Sequence, residues 1–154
     1  MSEGIKIVTS NRKAFYEYHI SERLEAGIAL VGTEVKSLRD GKANLQDAYC
    51  AVDGGEMFLY NLHIKEYDFG NRNNHEPTRK RKLLLHKKEI AKYRKAGAEK
   101  GYTIVPLKIY FKQGFAKVEI GLAKGKKLHD KRQSIAERES KRRLERVQRG
   151  GSYD

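Results

Sequence analysis

The chain has 154 residues, a formal net charge of +13 and a sequence pI near 9.8, a balance that favours a polyanionic partner such as nucleic acid. This length suffices for one domain with an appendage and for a core that needs no metal or disulfide. No apolar run approaches the roughly 18 residues of a membrane-spanning helix. The N-terminus lacks a signal pattern, so we expect a cytoplasmic protein.

The single cysteine excludes an internal disulfide framework. Cys50 stands in an apolar alternation, residues 49–52, which predicts a small core residue and not a reactive thiol.

The first stretch, Gly4–Val8, alternates weakly and is typical of an edge strand or an ordered arm. Asn11–Tyr18 follows, with two cations beside three aromatic residues. Two interpretations stay open: an RNA contact through phosphate and base packing, or an ordinary turn whose aromatics anchor the core. The first interpretation makes candidate RNA contacts of Asn11, Arg12 and Lys13.

His19–Val31 is predicted as a strand with a polar break at Ser21–Glu25. Gly32–Gly41 has the pattern of one short helix, capped by Thr33 and ended by its last glycine. One face of this helix is apolar. Cations on its other side and in the following loop are candidate RNA contacts: Lys36, Arg39 and Lys42.

Two hairpins are predicted, one around Asp53–Gly55 and one around Lys112–Gly114. Between them lie a long polar loop, residues 65–82, and a helix, Lys87–Lys95. The loop ends in a basic run whose candidate RNA contacts are Arg79, Arg81 and Lys82.

About six short strands with two or three short helices predict a mainly β fold. We expect a closed antiparallel barrel of the oligonucleotide-binding type, because closure removes exposed sheet edges. The predicted organisation is an RNA-binding β-barrel over residues 1–123 and a basic tail over residues 124–154.

The tail carries 11 Lys and Arg against 5 Asp and Glu, a net charge of +6. Ser134–Glu137 is a capping-box pattern that predicts a helix start, and Arg138, Arg142 and Arg146 share one face. The apolar stripe is too broken to dock strongly, so we expect a tail that is disordered when free and helical on its partner. A solvated basic tail remains the alternative.

Nothing in the sequence converges on catalysis. The five histidines show no metal-ligand spacing, and His63, between two apolar residues, is predicted in the core or at a barrel rim. There is no nucleophile elbow, phosphate loop or paired carboxylate. We therefore expect a binding protein that is not an enzyme and that uses no cofactor or metal.

Four long motifs carry a family resemblance: Glu25–Ile28, Gly32–Arg39, Pro77–Leu85 and Gly125–Arg132. With these motifs, in this order, the chain resembles the SsrA-binding protein family (small protein B) along nearly its whole length. The resemblance implies a bacterial cytoplasmic protein with an oligonucleotide-binding-type barrel. Such proteins bind the tRNA-like part of transfer-messenger RNA and bring it to stalled ribosomes for peptide tagging, the process called trans-translation.

The resemblance also assigns site residues. It implies RNA binding at Glu25, Leu84 and Lys117, where the lysine suits a phosphate and the leucine suits an unstacked base. Glu25 either accepts from a 2′-hydroxyl or base amine, orients a neighbouring cation, or makes a structural hydrogen bond. The tail residues implied to probe the decoding centre and the empty message channel are Gly125, Lys126, Lys127, His129, Asp130, Lys131 and Arg132.

The family's loop before Pro77 varies, so residues 67–76 receive no role, and residues 149–154 are unlike a strongly basic terminus. The implied partners are transfer-messenger RNA and the 70S ribosome, with elongation factor Tu and alanyl-tRNA synthetase through the shared RNA. We expect a monomer. The rival interpretation is a general single-strand RNA chaperone, which needs clustered surface aromatics on adjacent strands.

Overall fold

Strands make up most of the chain in the computed structural model, which describes residues 4–70, 74–126, 132 and 135–144. Within these ranges we number nine strands: β1 Ile5–Ser10, β2 Tyr18–Ile28, β3 Ala43–Asn44, β4 Tyr49–Asp53, β5 Glu56–Tyr60, β6 His63–Ile64, β7 Arg81–Leu84, β8 Tyr102–Lys112 and β9 Phe115–Gly125. The mainly β class is confirmed. The estimate of about six strands was too low, because the short pair β3–β6 and the start of β7 fall in segments that looked like loops.

Seven of the strands share one antiparallel sheet in the order β1-β8-β4-β5-β7-β2-β9. Because β8 also pairs with β9, six of them close into a ring-like sheet, and β1 continues outward along β8. The long strands β2, β8 and β9 run side by side and form the framework that carries the candidate site.

The two predicted hairpins are confirmed as β4–β5 and β8–β9. Their turns need left-handed backbone: Gly54 and Gly55 have φ of 61° and 81°, and Gln113 and Gly114 have φ of 51° and 83°. Glycine adopts such angles without steric cost, which explains the turn signal in the sequence.

Three helices precede the tail in the described residues: α1 Arg12–Glu17, α2 Gly32–Arg39 and α3 Lys87–Gly97. Residues 135–144 are also helical. The sequence did not predict α1, a six-residue helix that begins after Asn11, whose side-chain oxygen accepts from the Ala14 N–H at 3.1 Å.

The cap predicted for α2 was wrong. The helix begins after Val31, whose N–H donates to Glu34 Oε1 at 2.9 Å, whereas the Thr33 hydroxyl forms a hydrogen bond with His75 Nδ1 at 2.8 Å. A glutamate in the first turn also favours the helix through its dipole.

The core fills the inside of the ring with side chains that alternate along the strands. Its fully buried members include Met57, Leu59, Leu83, Ile109 and Ile120. Helix α2 adds Leu38, and α3 adds Ile90 and Tyr93 as predicted. Cys50 is buried in this cluster, and burial raises the pKa of its thiol well above the ordinary value, which confirms a packing role.

His63, predicted for the core or a rim, is exposed on β6. Among the described residues no three His, Cys, Asp or Glu side chains are grouped closely enough to hold a metal ion. No helix in the same ranges is both long and apolar enough to span a membrane.

Candidate nucleic-acid interface

A cleft of about 540 Å³ opens on the outer face of the sheet where β7, β2 and β9 meet. We call it the Glu25 cleft. Its lining contains the three positions singled out by the resemblance, Glu25, Leu84 and Lys117. The other lining residues come from β2, β5, β7, the β7–α3 connection and the start of α3: Gly27, Glu56, Lys82, Leu83, Leu85, His86, Lys87, Glu89 and Ile90.

Strand register explains why these distant residues meet. Gly27 on β2 lies directly opposite Leu84 on β7 and, on its other side, opposite Lys117 on β9. Directly opposed residues of an antiparallel pair point to the same face, and so do residues two apart along a strand. Glu25 therefore shares the face on which Leu84 and Lys117 lie.

Gly27 makes room for the apolar part of the cleft. A Cβ atom at this position would lie 3.1 Å from the Leu84 Cβ, closer than packed side chains normally approach. Leu84 can therefore lie over β2 while 53% of its surface stays exposed. A leucine this exposed beside charged groups is suited to contact a flat apolar surface such as an unstacked base.

Glu25 is held in a defined orientation. The Tyr110 hydroxyl donates to its Oε2, and Lys112 Nζ lies 3.6 Å from the same oxygen. The hydrogen bond from Tyr110 and the positive charges of Lys112 and Lys117 lower the pKa of Glu25 despite partial desolvation. Burial and the Glu25 carboxylate raise the pKa of Tyr110, so the phenol stays a donor at neutral pH.

The charges around the cleft nearly balance. Lys82 Nζ lies 3.6 Å from Glu56 Oε2, and Glu25 and Glu89 offset Lys87 and Lys117. Because its lining has little net charge, the cleft does not attract polyanions in general. It favours recognition by shape, an apolar contact and a few placed polar groups.

Two predicted RNA contacts are corrected by the structure. Arg81 is wholly buried, because its Nε donates to Glu34 Oε2 at 2.5 Å and its other nitrogens donate to the carbonyls of Leu62 and Pro77. Asn11 is also buried, with its side-chain amide donating to the Pro106 carbonyl at 2.9 Å. Both residues hold the fold together and offer no surface to RNA.

Arg79 shares the buried carboxylate of Glu34, to which its Nη2 donates at 2.5 Å. Burial raises the pKa of Glu34, but the hydrogen bonds from Arg79, the Val31 N–H and Arg81 outweigh it and leave that pKa lowered. Arg79 therefore acts first as a structural residue, although its side chain is one-third exposed.

The remaining predicted cations do not line the Glu25 cleft, except Lys82. Lys36 and Arg39 lie over the rings of Tyr67 and Phe111, at 5.5 and 5.0 Å, and Lys42 is exposed in the loop after α2. On α1, Arg12 is exposed and Lys13 Nζ lies 3.5 Å from Asp47 Oδ1. The structure thus distributes the candidates over several surfaces.

The start of the tail continues β9. Gly125 is the last residue of that strand, and the Lys126 N–H donates to the Glu17 carbonyl at 2.8 Å. Arg132 is exposed and helical. The predictions for Lys127, His129, Asp130 and Lys131 lie outside the described residues.

An aromatic surface of the type that the chaperone interpretation requires is only partly present. Tyr49 and Tyr60 lie on adjacent strands, but their rings stack on each other with centroids 5.2 Å apart. Lys80 Nζ lies 4.0 Å from the ring centre of Phe58. Faces engaged in this way are less accessible to successive bases than an open platform.

Sequence reasoning missed Gly27 and the partnership of Tyr110 with Glu25. A glycine inside a strand is a signal of close approach by another group, and this signal was available at Gly27. The Tyr110–Glu25 contact joins residues 85 positions apart, and no local pattern indicates it.

The sequence was compared with protein families and with known proteins. The family model described as SmpB protein matches residues 8–150. An SsrA-binding protein of Syntrophotalea carbinolica is 56% identical over 146 residues, covering 95% of this chain and 97% of that protein. The SsrA-binding protein of Geobacter sulfurreducens is 58% identical over 141 residues, covering 92% of each.

A solved structure described as "tmRNA-SmpB: a journey to the center of the bacterial ribosome" contains a similar chain. The two chains are 51% identical and superpose with a TM-score of 0.67 over 78% of this chain and 85% of that one.

Proposed function

The chain belongs to the SmpB protein family, and from this membership we propose that it binds the tRNA-like part of transfer-messenger RNA and brings it to stalled ribosomes for trans-translation. The observation that carries the proposal is the Glu25 cleft. Three residues that are distant in the sequence, Glu25, Leu84 and Lys117, line one depression of the sheet surface.

The cleft divides recognition among three kinds of contact. Leu84 packs on an unstacked base or on a sugar edge of the RNA. Lys117 contacts a backbone phosphate. Glu25, kept ionised and oriented by Tyr110, accepts from a 2′-hydroxyl or a base amine. An acceptor of this kind favours RNA over DNA, because only RNA has the 2′-hydroxyl donor.

The proposal also covers the type of barrel, the cellular location, the further partners and the tail, and these parts rest on the same family membership. The ring-like sheet acts as an oligonucleotide-binding-type barrel, and its closure is the feature that supports this comparison. The protein works in the cytoplasm as a monomer without a cofactor. Elongation factor Tu and alanyl-tRNA synthetase act on the same RNA. The tail enters the decoding centre and the message channel when messenger RNA is absent.

The test is RNA binding by Leu84→Ala. The substitution removes an apolar contact that the RNA buries on binding, worth about 1.5 kcal/mol. We expect binding to the tRNA-like RNA to weaken by about tenfold. Leu144→Ala is the matched control, since Leu144 is similarly exposed but lies on the tail helix outside the cleft. Gel-shift titrations with the tRNA-like RNA and an unstructured RNA of equal length measure both variants.

Equal affinity of both variants for the tRNA-like RNA contradicts the proposed role of the cleft. Equal affinity of the unsubstituted protein for the two RNAs contradicts specific recognition and favours a general single-strand RNA chaperone.

A further inference from the structure

A second depression, of about 410 Å³, lies between α1 and the tail helix, residues 135–144. Its lining consists of Arg12, Phe15 and Tyr16 from α1 and Arg138 and Arg142 from the tail helix. We call it the arginine groove. It shares no lining residue with the Glu25 cleft.

The arginine groove is strongly cationic. Three of its five lining residues are arginines and none of the five is acidic. Two further cations surround Phe15: the Arg23 guanidinium lies 5.2 Å from the ring centre, and Lys126 Nζ donates to the Phe15 carbonyl at 3.2 Å. Arg23 also lies 3.6 Å from Glu119 Oε1, so it is the groove's own arginines that favour an anionic ligand.

The groove also contains an aromatic face. Phe15 is 40% exposed although a ring of this size is normally buried, and Tyr16 lies beside it. Arg23 lies over the Phe15 ring, but a ring has two faces, and guanidinium groups next to a ring that is 40% exposed are suited to a ligand that carries both a phosphate and a planar base. Neither an inorganic anion nor an acidic peptide uses both features.

We propose that the arginine groove is a second RNA site, which binds a single-stranded segment through a phosphate among the arginines and a base stacked on Phe15. The site is composite, because the body of the protein supplies the ring and the tail supplies two of the three lining arginines. Its volume lies in the range of about 300–1,000 Å³ typical of small-ligand sites, which suits one nucleotide and not a folded helix.

A bound phosphate that contacts Arg12 together with Arg138 and Arg142 links α1 to the tail helix. RNA in the groove therefore stabilises the docked position of the tail, and the docked tail strengthens RNA binding by the same factor. This inference goes beyond the proposed function, which assigns RNA recognition to the Glu25 cleft and assigns the tail to the ribosome.

The chain contains no tryptophan, so Phe15→Trp introduces a unique fluorescent reporter in the groove. The probe is a twelve-nucleotide oligouridylate, titrated into the full chain that carries this substitution. We expect saturable quenching as a base stacks on the ring. Affinity should fall with salt with a slope of about −0.7, for one phosphate contact on a single strand.

Arg138→Gln with Arg142→Gln, added to the reporter chain, should weaken oligouridylate binding at least tenfold and make the salt slope shallower than that of the reporter chain. The matched control is Lys141→Gln with Arg143→Gln, which removes the same charge from the same helix outside the groove. The control should retain the affinity and slope of the reporter chain.

A second measurement covers the case in which the tryptophan disturbs α1. Fluorescence anisotropy of a labelled oligouridylate, with the native Phe15, should show weaker binding by Phe15→Ala and by Arg12→Gln. Equal weakening by the groove variants and the control overturns the proposal, as does an absence of both quenching and binding in the anisotropy titration. Equal quenching by an oligoaspartate of the same length overturns the assignment to RNA.

The experiments can contradict either of the two proposed RNA sites without contradicting the other. Leu84→Ala in the reporter chain should lose affinity for the tRNA-like RNA while the oligouridylate still quenches the tryptophan. If Leu84→Ala changes neither titration, the Glu25 cleft is contradicted and the arginine groove stands. If quenching and binding in the anisotropy titration are both absent while Leu84→Ala weakens tRNA-like RNA binding, the groove alone is contradicted.

Discussion

Glu25 and Tyr110 form the contact that most narrowly defines the cleft. The Tyr110 phenol donates to Glu25 Oε2, and Lys112 Nζ lies 3.6 Å from the same oxygen. These contacts within the protein engage one carboxylate oxygen, while 38% of the Glu25 side chain stays exposed. The structural and RNA-binding interpretations of Glu25 are therefore compatible. An acceptor held by its neighbours loses less rotational freedom when RNA binds.

Tyr110→Phe tests this coupling. Removing the donor removes the largest cause of the lowered pKa of Glu25, so this pKa should rise towards its ordinary value. A carboxylate free to rotate towards Lys117 should bind the tRNA-like RNA about threefold to tenfold more weakly, a modest effect because Glu25 is partly exposed.

Carbon-detected NMR titration of the glutamate carboxyls and gel shifts measure the two quantities. Tyr102→Phe, on the same strand but outside the cleft, is the control. A lower melting temperature together with unchanged RNA affinity contradicts the positioning role of Tyr110.

Lys117 lies opposite Gly27 and Tyr110 and is partly exposed at the cleft. Lys117→Ala should reduce the salt slope of tRNA-like RNA binding by about one, because one phosphate contact is lost. Lys100→Ala, in the exposed turn after α3, should leave the slope unchanged. An unchanged slope with a lowered melting temperature for Lys117→Ala assigns this lysine to the fold.

At the scale of elements, strands and their turns were the most predictable features. Alternation and glycine pairs indicated both hairpins, because these signals are local. Helix α1 escaped prediction because its six residues are too few for a periodic pattern, and the amide of its cap, Asn11, is held by the Pro106 carbonyl, 95 residues away. Local propensity cannot report a contact of that kind.

The basic run before Leu83 shows the same limit for the site. Arg81 and Leu83 are two residues apart on β7, so alternation places both on the buried face. The sequence alone made Arg81 an RNA candidate, because its buried partner Glu34 lies 47 residues away on α2. The register that brings Leu84, Gly27 and Lys117 together was equally invisible, since it depends on the pairing of three strands.

Glu34→Gln tests the buried ion pair that joins α2 to β7. Breaking one partner of such a pair should lower the free energy of unfolding by about 3 kcal/mol at neutral pH. Because the folded pKa of Glu34 lies below its unfolded value, its stabilisation is present above the unfolded pKa and disappears as pH falls through the folded pKa.

The variant should accordingly lose less stability than the unsubstituted protein over that acidic window. Urea unfolding at a series of pH values measures this difference. Glu56→Gln removes the exposed partner of Lys82 and should cost less than about 1 kcal/mol. Equal losses for the two variants contradict the structural importance of the buried pair.

At the scale of the molecule, the strongly cationic arginine groove and the Glu25 cleft are different surfaces. The Glu25 cleft has a nearly balanced lining, whereas the arginine groove has three cations and no acidic residue. The tail alone has 11 Lys and Arg against 5 Asp and Glu. The tail carries +6 of the chain's net charge of +13 and contributes to long-range attraction of RNA, whereas the proposed function assigns discrimination among RNAs to the cleft.

This separation predicts that delivery and ribosome engagement can be uncoupled. The combination Asp130→Ala, Lys131→Ala and Arg132→Ala follows the last residue of β9, Gly125, and leaves Glu25, Leu84 and Lys117 unchanged. The variant should bind the tRNA-like RNA with unchanged affinity and still reach ribosomes, because the RNA makes contacts of its own. Peptide tagging should fail, because the proposed function requires the tail to enter an empty message channel lined by phosphates.

Peptide tagging is measured as tag addition on ribosomes stalled at the end of a truncated message. Gel shifts run in parallel measure binding to the tRNA-like RNA. Ser140→Ala with Gln133→Ala is the control, because it alters the tail without changing its charge. Normal tagging by the triple variant contradicts the role of these residues in the channel and favours a solvated linker. Weakened binding to the tRNA-like RNA contradicts the proposed division of work between the tail and the cleft.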